Sequence, residues 1–265
     1  QLFFDVVGEG FDASSPNMAK RPTMILLHGG PGYDHSTLRP YFDRYSDTHQ
    51  LIYLDHRGCG RSTGERESWY LDQWADDIAV FCNLLGIEAP VLFGQSFGGM
   101  VAMHYAAQHP SKLSKLILSS TAAQFRLDET VNMMRKLGGE SAADVARRFF
   151  SCPSEDVYKI YGEVCLPLYS NPDAPMAGSF RDRAIQRPEV AIHFFTDEMP
   201  QMDLRDEIAD IVLKQMNIKK SDCEYRYTGG SRGWKGDVPI VRLDTSKISS
   251  IGWKSSMDSI EAIKK

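Results

Sequence analysis

The chain lacks several features that would by themselves assign it to a class of protein. Its 265 residues contain no apolar run long enough to cross a lipid bilayer. The formal net charge is -5, without the basic excess that binding to nucleic acid phosphates needs. The sequence therefore predicts no membrane and no nucleic acid as partners. With 42% hydrophobic residues, it is long enough to bury the core of one large domain or of one domain with an appendage.

Cysteine is scarce, and its spacing excludes two further classes. The cysteines are Cys59, Cys82, Cys152, Cys165 and Cys223. Their odd number argues against a disulfide framework, and no C-x-x-C pair or Cys/His cluster has zinc spacing. We interpret them as free thiols in a reducing cytoplasm, which is the predicted location. Residues 1–10 lack the blocks of a signal peptide, and Gln1 replaces an initiator Met, as in a processed, trimmed or fragmentary chain.

Short apolar runs alternate with helical patterns in the first part of the chain. The runs predicted as strands are residues 23–28, 51–55, 90–93 and 113–119. Asp72 is a candidate cap for a helix that ends at Gly86, and a second helix follows Ser96 to about Gln108. This alternation favours parallel strands with helical crossovers, and the continuous apolar strands favour a sheet covered on both faces.

The rest of the chain has a different character. Residues 1–124 are predicted as the core, 125–205 as a mostly helical cap inserted into it, and 206–265 as a tail. The tail starts with an amphipathic helix at 206–218 and has strand-like segments at 224–227 and 238–243. The cap offers these side chains for a core or a ligand groove: Met133, Met134, Phe149, Phe150, Ile192, Phe194 and Phe195.

The segment from Gly94 to Gly98 carries the chemistry, because GQSFG matches the pattern G-x-S-x-G. A serine hydroxyl attacks a carbonyl poorly unless it is exposed, has a base and lies near oxyanion donors. A sharp strand-to-helix turn provides the exposure, and a strand precedes and a helix follows Ser96 here. The pattern therefore predicts Ser96 as a nucleophile; a structural serine in a turn is the alternative.

A second motif, HGGPG from His28 to Gly32, follows the first core strand. A loop that donates backbone N–H groups to an oxyanion sits at this point in serine hydrolases of this type. The candidate donors are Gly30 and Phe97, the residue after the nucleophile. Both loops follow the carboxyl ends of predicted parallel strands, and open α/β sheets bind their ligands at these ends. An ordinary Gly/Pro turn is the alternative.

Three motifs in order, HGGPG, DHRGCGRS (Asp55 to Ser62) and GQSFGG, closely resemble the proline iminopeptidase branch of the α/β-hydrolases. The resemblance covers about residues 1–206 and includes EMPQMDLRDEI (Glu198 to Ile208). It implies an α/β-hydrolase core with a mostly parallel sheet and a helical cap, without metal or organic cofactor. It also implies that Ser96 is the nucleophile and that Gly30 and Phe97 bind the oxyanion. Residues 55–62 are interpreted as shaping a loop.

The partners that this family gives its serine are missing from the expected places. The order Ser, Asp, His requires an acid after a later strand and a histidine beyond it, yet the last histidine is His193, in the predicted cap. His104 lies about 12 Å along the helix from Ser96, out of reach. His35 and His193 are distant candidates, His28 is interpreted as structural, and surface or loop positions are expected for His49 and His56.

The tail from about 210 to 265 resembles another family. YTGGSRGWKGDVP (Tyr227 to Pro239), LDTSKI and IGWKSS are similar to the C-terminus of extended short-chain dehydrogenase-type nucleotide-sugar epimerases. In that family the arginine of such a segment can contact the substrate's diphosphate, which would correspond to Arg232. The cofactor motifs of that family are absent from the N-terminal part, so a turn-rich structural segment is the preferred interpretation of Gly229 to Asp237. The chain is therefore interpreted as chimeric, with a junction near 206–212 and the C-terminal sheet strands missing or replaced. An unpaired sheet edge is expected, and the alternative is that the tail segments 224–227 and 238–243 cover it.

These observations predict a serine hydrolase acting on peptide, amide or ester bonds of a small molecule or short peptide, and impaired by an incomplete triad. A non-catalytic binding protein on a hydrolase frame, and a nucleotide-sugar-binding protein, are the alternatives. Aminopeptidase activity would need carboxylates for the substrate's amine, for which Glu163, Asp197 and Glu198 are available in the cap. The oligomeric state is not predicted.

Overall fold

The computed structural model describes residues 1–169 and 182–227. Its strands are β1 (Phe4–Val7), β2 (Phe11–Asp12), β3 (Ala19–Lys20), β4 (Thr23–Leu27), β5 (Gln50–Leu54), β6 (Val91–Gln95) and β7 (Lys115–Ser119). Its α-helices are α1 (Leu71–Leu84), α2 (Phe97–Gln108), α3 (Leu127–Ser151), α4 (Glu155–Val164), α5 (Pro188–His193) and α6 (Arg205–Gln215). A π-helical turn covers Phe194–Glu198, and 3-10 helices occupy His35–Leu38, Tyr41–Tyr45, Arg66–Ser68, Leu166–Tyr169, Met199–Gln201 and Lys220–Asp222.

Five strands form the main sheet, in the order β1-β5-β4-β6-β7. The four strands predicted from apolar runs are β4, β5, β6 and β7, and they are parallel to one another. β1 pairs antiparallel with β5 and was not predicted; its side chains alternate between half-buried and exposed and give no continuous apolar run. Helices α1 and α2 are the crossovers between these strands, as the alternation predicted.

The sheet is covered on both faces at its centre. In β4, Ile25 and Leu27 belong to one buried cluster, whereas Met24 and Leu26 belong to another. Successive side chains of a strand point to opposite faces, so the two clusters are the two sides of the sheet. The first cluster also contains Val190, Phe194 and Met199, from the segment predicted as cap. The expectation of a doubly covered sheet is confirmed for the central strands.

The end of the sheet at β7 is different. Within residues 1–169 and 182–227, no strand pairs with the outer side of β7. Ile117 and Leu118 are 40% and 38% exposed there. An edge of this kind leaves backbone N–H and C=O groups without a partner strand among the described residues. The predicted cover by residues 238–243 lies outside them, so an unpaired edge in the whole chain stays a prediction.

Two local predictions were wrong. Asp72 does not cap α1; the N-cap is Tyr70, and Asp72 lies in the first turn and accepts hydrogen bonds from His104 and Gln108. The predicted strand at 224–227 has no regular secondary structure. The second predicted tail strand (238–243) and Arg232 lie outside the described residues. The predicted helix 206–218 is α6, which ends at Gln215.

The predicted cap is helical in its described part. α3 is bent at Gly139, whose φ of 76° breaks the helical backbone. α3 and α4 enclose a cluster around Phe149, which is 1% exposed, and Tyr161. The chain divides into two compact units, Gln1–Cys223 and Glu224–Lys265, so α3 and α4 lie in the same unit as the sheet. No helix in the described ranges is long and apolar enough to cross a membrane.

Candidate active site

Ser96 lies on a sharp turn between β6 and α2. Its φ of 51° and ψ of -117° place a non-glycine residue in a region that L-residues seldom adopt. It is the N-cap residue of α2, and its side chain makes no capping hydrogen bond. The hydroxyl is therefore not used to cap its own helix.

Two glycines bring this turn close to its neighbours. A Cβ on Gly98 would lie 2.3 Å from the carbonyl oxygen of Leu27, and one on Gly94 would lie 2.4 Å from that of Gly98. Both distances are too short for a carbon atom. The start of α2 therefore packs directly on the end of β4, which brings the HGGPG loop next to Ser96.

The backbone of Ser96 is also tied to the strand on its other side. Its N–H donates to the carbonyl of Ser119 at 2.9 Å, and the Thr121 hydroxyl donates to the carbonyl of Ser96 at 2.8 Å. The serine is thus held between the ends of β6 and β7 by hydrogen bonds that leave its side chain uncommitted.

Gly30, Ser96 and Phe97 line the same cavity. Gly29 is so close that a Cβ on it would lie 3.4 Å from the Ser96 Cβ. Phe97 is the first residue of α2, so its N–H has no acceptor within the helix. The structure therefore brings the predicted nucleophile and both predicted oxyanion donors together.

The loop from His28 to His35 rests on a buried polar network. Asp55 Oδ1 accepts from the backbone N–H of His35 at 2.9 Å and lies 2.7 Å from His35 Nδ1, and Asp55 Oδ2 accepts from the Arg61 N–H. Burial raises the pKa of Asp55, but the hydrogen bonds from His35 and Arg61 outweigh it and the pKa is lowered. The ionised carboxylate joins the oxyanion loop to the loop that begins at Asp55, which agrees with a structural role for residues 55–62.

The cavity beside Ser96 has a volume of about 760 Å³, in the range of small-molecule sites. Five phenylalanines besides Phe97 line it: Phe125, Phe149, Phe150, Phe194 and Phe195. Four of these were among the side chains predicted for a core or groove. The other three of that set are not in the wall: Met134 is buried in the cap, Ile192 is half-buried on α5, and Met133 is 51% exposed.

Five tyrosines are among the polar side chains that line the cavity, and the sequence did not single them out. They are Tyr33, Tyr41, Tyr158, Tyr161 and Tyr169. The hydroxyls of Tyr161 and Tyr169 lie 2.6 Å apart. Burial, with the neighbouring phenols, raises the pKa values of Tyr158 and Tyr161, so both stay neutral. The available signals were the position of Tyr33 after HGGPG and the i, i+3 spacing of Tyr158 and Tyr161 in α4.

No histidine is among the described residues that line the cavity. His35 is buried against Asp55, and His193 Nε2 lies 2.8 Å from the carbonyl of Trp69. His28 is fully buried and its Nε2 accepts from the N–H of His56, in agreement with a structural role. His56 lies in a loop after β5, which agrees with a surface or loop position, and it is buried there with 2% exposure.

The candidate carboxylates for a substrate amine also lie elsewhere. Glu198 Oε2 accepts from the N–H of Leu71 at 2.8 Å, Asp197 lies 2.9 Å from His193 Nδ1, and Glu163 is exposed on α4. None of them lines the cavity. The described residues also contain no group of three or more His, Cys, Asp and Glu side chains that could bind a metal ion.

Residues 22–150 match the family of the alpha/beta hydrolase fold. This match agrees with the parallel sheet, the helical crossovers and the strand–helix turn at Ser96. The chain has an α/β-hydrolase fold, and the fold class predicted from the sequence is confirmed.

Curated relatives of the chain are proline iminopeptidases. That of Clostridioides difficile is 34% identical over 133 residues, which are 49% of this chain and 43% of that protein. That of Lactiplantibacillus plantarum is 30% identical over 156 residues, 56% of this chain and 52% of that protein. The chain spans about half the length of these relatives. They support the same assignment, an α/β-hydrolase.

Solved structures give the same fold. The proline iminopeptidase of Mycobacterium smegmatis is 24% identical with a TM-score of 0.57, over 79% of this chain and 75% of that one. A thermophilic esterase from Thermogutta terrifontis is 24% identical with a TM-score of 0.54, over 76% of this chain and 68% of that one. At these identities the likeness concerns the fold alone.

Proposed function

We propose that this chain is a serine hydrolase of the proline iminopeptidase-like type that binds a peptide, amide or ester carbonyl at Ser96 and turns it over weakly or not at all. The observation that carries the proposal is a serine at a strand–helix turn, beside Gly30 and Phe97, in a cavity whose described lining contains no acid or base other than tyrosine. The curated relatives, all about 30% identical, support peptide and amide bonds as the substrate class.

The expected chemistry follows from the groups that are present. The Ser96 oxygen would attack the carbonyl carbon, and the N–H groups of Gly30 and Phe97 would stabilise the oxyanion. The serine proton needs an acceptor, and the neutral phenols of Tyr158 and Tyr161 are poor ones because their pKa values are raised. Serine proteases that lose triad residues retain about 10³–10⁴-fold acceleration over water from binding and the oxyanion site, and we expect no more here.

A fluorophosphonate probe tests the nucleophile. Ser96 Oγ would displace fluoride from phosphorus, so mass spectrometry should find one adduct at Ser96, formed slowly. Ser96→Ala should abolish the adduct. Ser120→Ala is the matched control, because Ser120 lines the same cavity, and should leave it unchanged. Rapid turnover of p-nitrophenyl acetate or proline p-nitroanilide that requires Ser96 would contradict the proposed impairment.

Imidazole in solution tests whether the proton acceptor is the missing part. It should raise the rate of p-nitrophenyl acetate hydrolysis by the wild-type chain well above the rate with the Ser96→Ala variant, which measures the direct reaction of imidazole with the ester. Equal rates with the two proteins would mean that the absent base is not what limits Ser96.

A non-catalytic binding protein is the second candidate, favoured by the same lack of acid–base side chains in the described lining. It predicts saturable binding of carbonyl compounds with no fluorophosphonate adduct. The nucleotide-sugar alternative depends on Arg232, outside the described residues; thermal stabilisation by UDP-sugars that is lost in Arg232→Ala would favour it.

A further inference from the structure

The cavity of Ser96 has no charged side chain among the described residues that line it. Its wall is built from aromatic and small side chains, together with neutral hydroxyl and amide groups such as Thr130, Tyr158 and Gln95. Tyr158 and Tyr161 stay uncharged because burial raises the pKa of each phenol. Among the described residues, the side chains that would meet a ligand next to Ser96 are therefore apolar or neutral.

Two of the three candidate carboxylates of the cap, Glu198 and Asp197, have other partners. Glu198 binds the first N–H of α1, where it satisfies a helix terminus, and Asp197 lies beside His193. Glu163 is exposed. A ligand ammonium in the cavity would lose its water without gaining an ion pair to any described lining residue, which costs several kcal/mol.

We propose that this cavity accepts an uncharged carbonyl compound whose apolar acyl chain lies against Phe149, Phe150 and Phe195, and that it discriminates against substrates with a free amine. The inference rests on the proposed function, because it assumes that the carbonyl lies at Ser96. The aromatic rings supply contact area, since Phe149, Phe150 and Phe195 have ring centroids 4.9 to 5.4 Å apart and form one apolar wall. The tyrosine hydroxyls can donate hydrogen bonds to a neutral ester.

A matched pair of ligands tests this selectivity. Benzyl heptanoate and benzyl 6-aminohexanoate differ only in a terminal methyl or ammonium group. Their affinities should be measured by calorimetry on the Ser96→Ala variant, which separates binding from turnover. We expect the heptanoate to bind at least about tenfold more tightly, because the ammonium has no carboxylate to pair with. Equal affinities, tighter binding of the amino ester, or no saturable binding of either ligand would overturn the inference.

A gain-of-charge variant provides the positive test. Thr130 is half-buried on α3 and lines the cavity, and its hydroxyl donates only to the local Arg126 carbonyl. Thr130→Asp should shift the affinity ratio of the two esters towards the amino ester by about tenfold, and the isosteric neutral variant Thr130→Asn should leave the ratio unchanged. Equal ratios in Thr130→Asp and Thr130→Asn would mean that charge does not set selectivity here.

The experiments distinguish a failure of the proposed nucleophile from a failure of the proposed ligand class. If no fluorophosphonate adduct forms at Ser96 but the heptanoate is still preferred, the nucleophile is wrong and the ligand class stands. If the adduct forms and the amino ester binds as well as the heptanoate, the ligand class is wrong and the nucleophile stands.

Discussion

Replacing Gly98 by alanine should move the turn that carries Ser96. The added Cβ would lie 2.3 Å from the carbonyl oxygen of Leu27 and 2.6 Å from that of His28. Both obstacles are backbone atoms of β4 and of the loop that follows it, so no side-chain rotation can relieve the contact. The start of α2 must shift away from β4, and Ser96 must shift with it.

The size of the effect follows from two opposing terms. Alanine is better than glycine inside a helix by about 1 kcal/mol, which favours the variant. An ordinary contact to the Leu27 oxygen needs about 3.4 Å, about 1 Å more than the variant would have at the native position. Overpacking of a close-packed site costs about 1–3 kcal/mol and occasionally more. Because neither backbone segment can yield cheaply, we expect the free energy of unfolding of Gly98→Ala to fall by about 2 kcal/mol.

Urea unfolding followed by tryptophan fluorescence measures this change. Gly162→Ala is the matched control, because Gly162 is also helical, in α4, and its nearest neighbour atom is Leu166 Cδ1 at 4.0 Å. This control should be as stable as the wild type or more stable by up to about 1 kcal/mol. Gly98→Ala should also slow fluorophosphonate labelling of Ser96. A Gly98→Ala variant that unfolds at the wild-type urea concentration and is labelled at the wild-type rate would refute the close approach of α2 to β4.

Three further predictions concern other parts of the first unit. Burial and the neighbouring His28 lower the pKa of His56, so below about pH 6.5 the unfolded chain binds a proton that the folded chain does not. The free energy of unfolding should therefore fall as the pH drops below about 6.5. His56→Phe should reduce this fall, which urea midpoints measured from about pH 7 to about pH 5 can show. Burial raises the pKa of the Cys59 thiol to about 12, so Cys59 should react with iodoacetamide only in urea, whereas exposed Cys152 should react in the native protein. Mass spectrometry can identify the alkylated residues. Alkylation of Cys59 in the native protein would contradict its burial. Phe149→Ala should lower the free energy of unfolding by about 3–5 kcal/mol in urea, because this ring is 1% exposed; a loss under 1 kcal/mol would mean that the cluster is loosely packed.

The central part of the fold could be predicted because its signals are local. The strands β4, β5, β6 and β7 lie within two residues of the predicted runs. For β4, β5 and β6 the reason is that a strand buried on both faces is a continuous apolar segment bounded by turns, whereas the apolar run of β7 is partly exposed. The position of Ser96 at a strand–helix turn could be predicted for a similar reason, because its glycine motif indicates both the turn and the helix that follows it. The first residue of α1 could not be predicted in this way, because the N–H of Leu71 donates to Glu198, which is 127 residues away in the sequence.

The side chains that line the cavity could be predicted only in part from the sequence pattern. Phe149, Phe150 and Phe195 were expected in a core or a groove, and the pattern alone could not say which. Tyr158 and Tyr161 were not singled out, because one turn of an amphipathic helix gives the same spacing whether it faces a core or a ligand. Only the packing of α3 and α4 beside the sheet decides that these rings lie near Ser96.

The nucleophile and its proton acceptor differ in how the chain encodes them. The turn at Ser96 and the N–H groups of Gly30 and Phe97 depend on backbone geometry, which short glycine motifs and the packing of Gly98 on β4 specify locally. A base and its orienting acid are side chains that must come from separate loops, and the described lining of the cavity contains neither. On the proposed function, the described residues therefore supply the half of the site that would bind a carbonyl without the half that would move a proton. Binding and turnover must for this reason be measured separately in this protein.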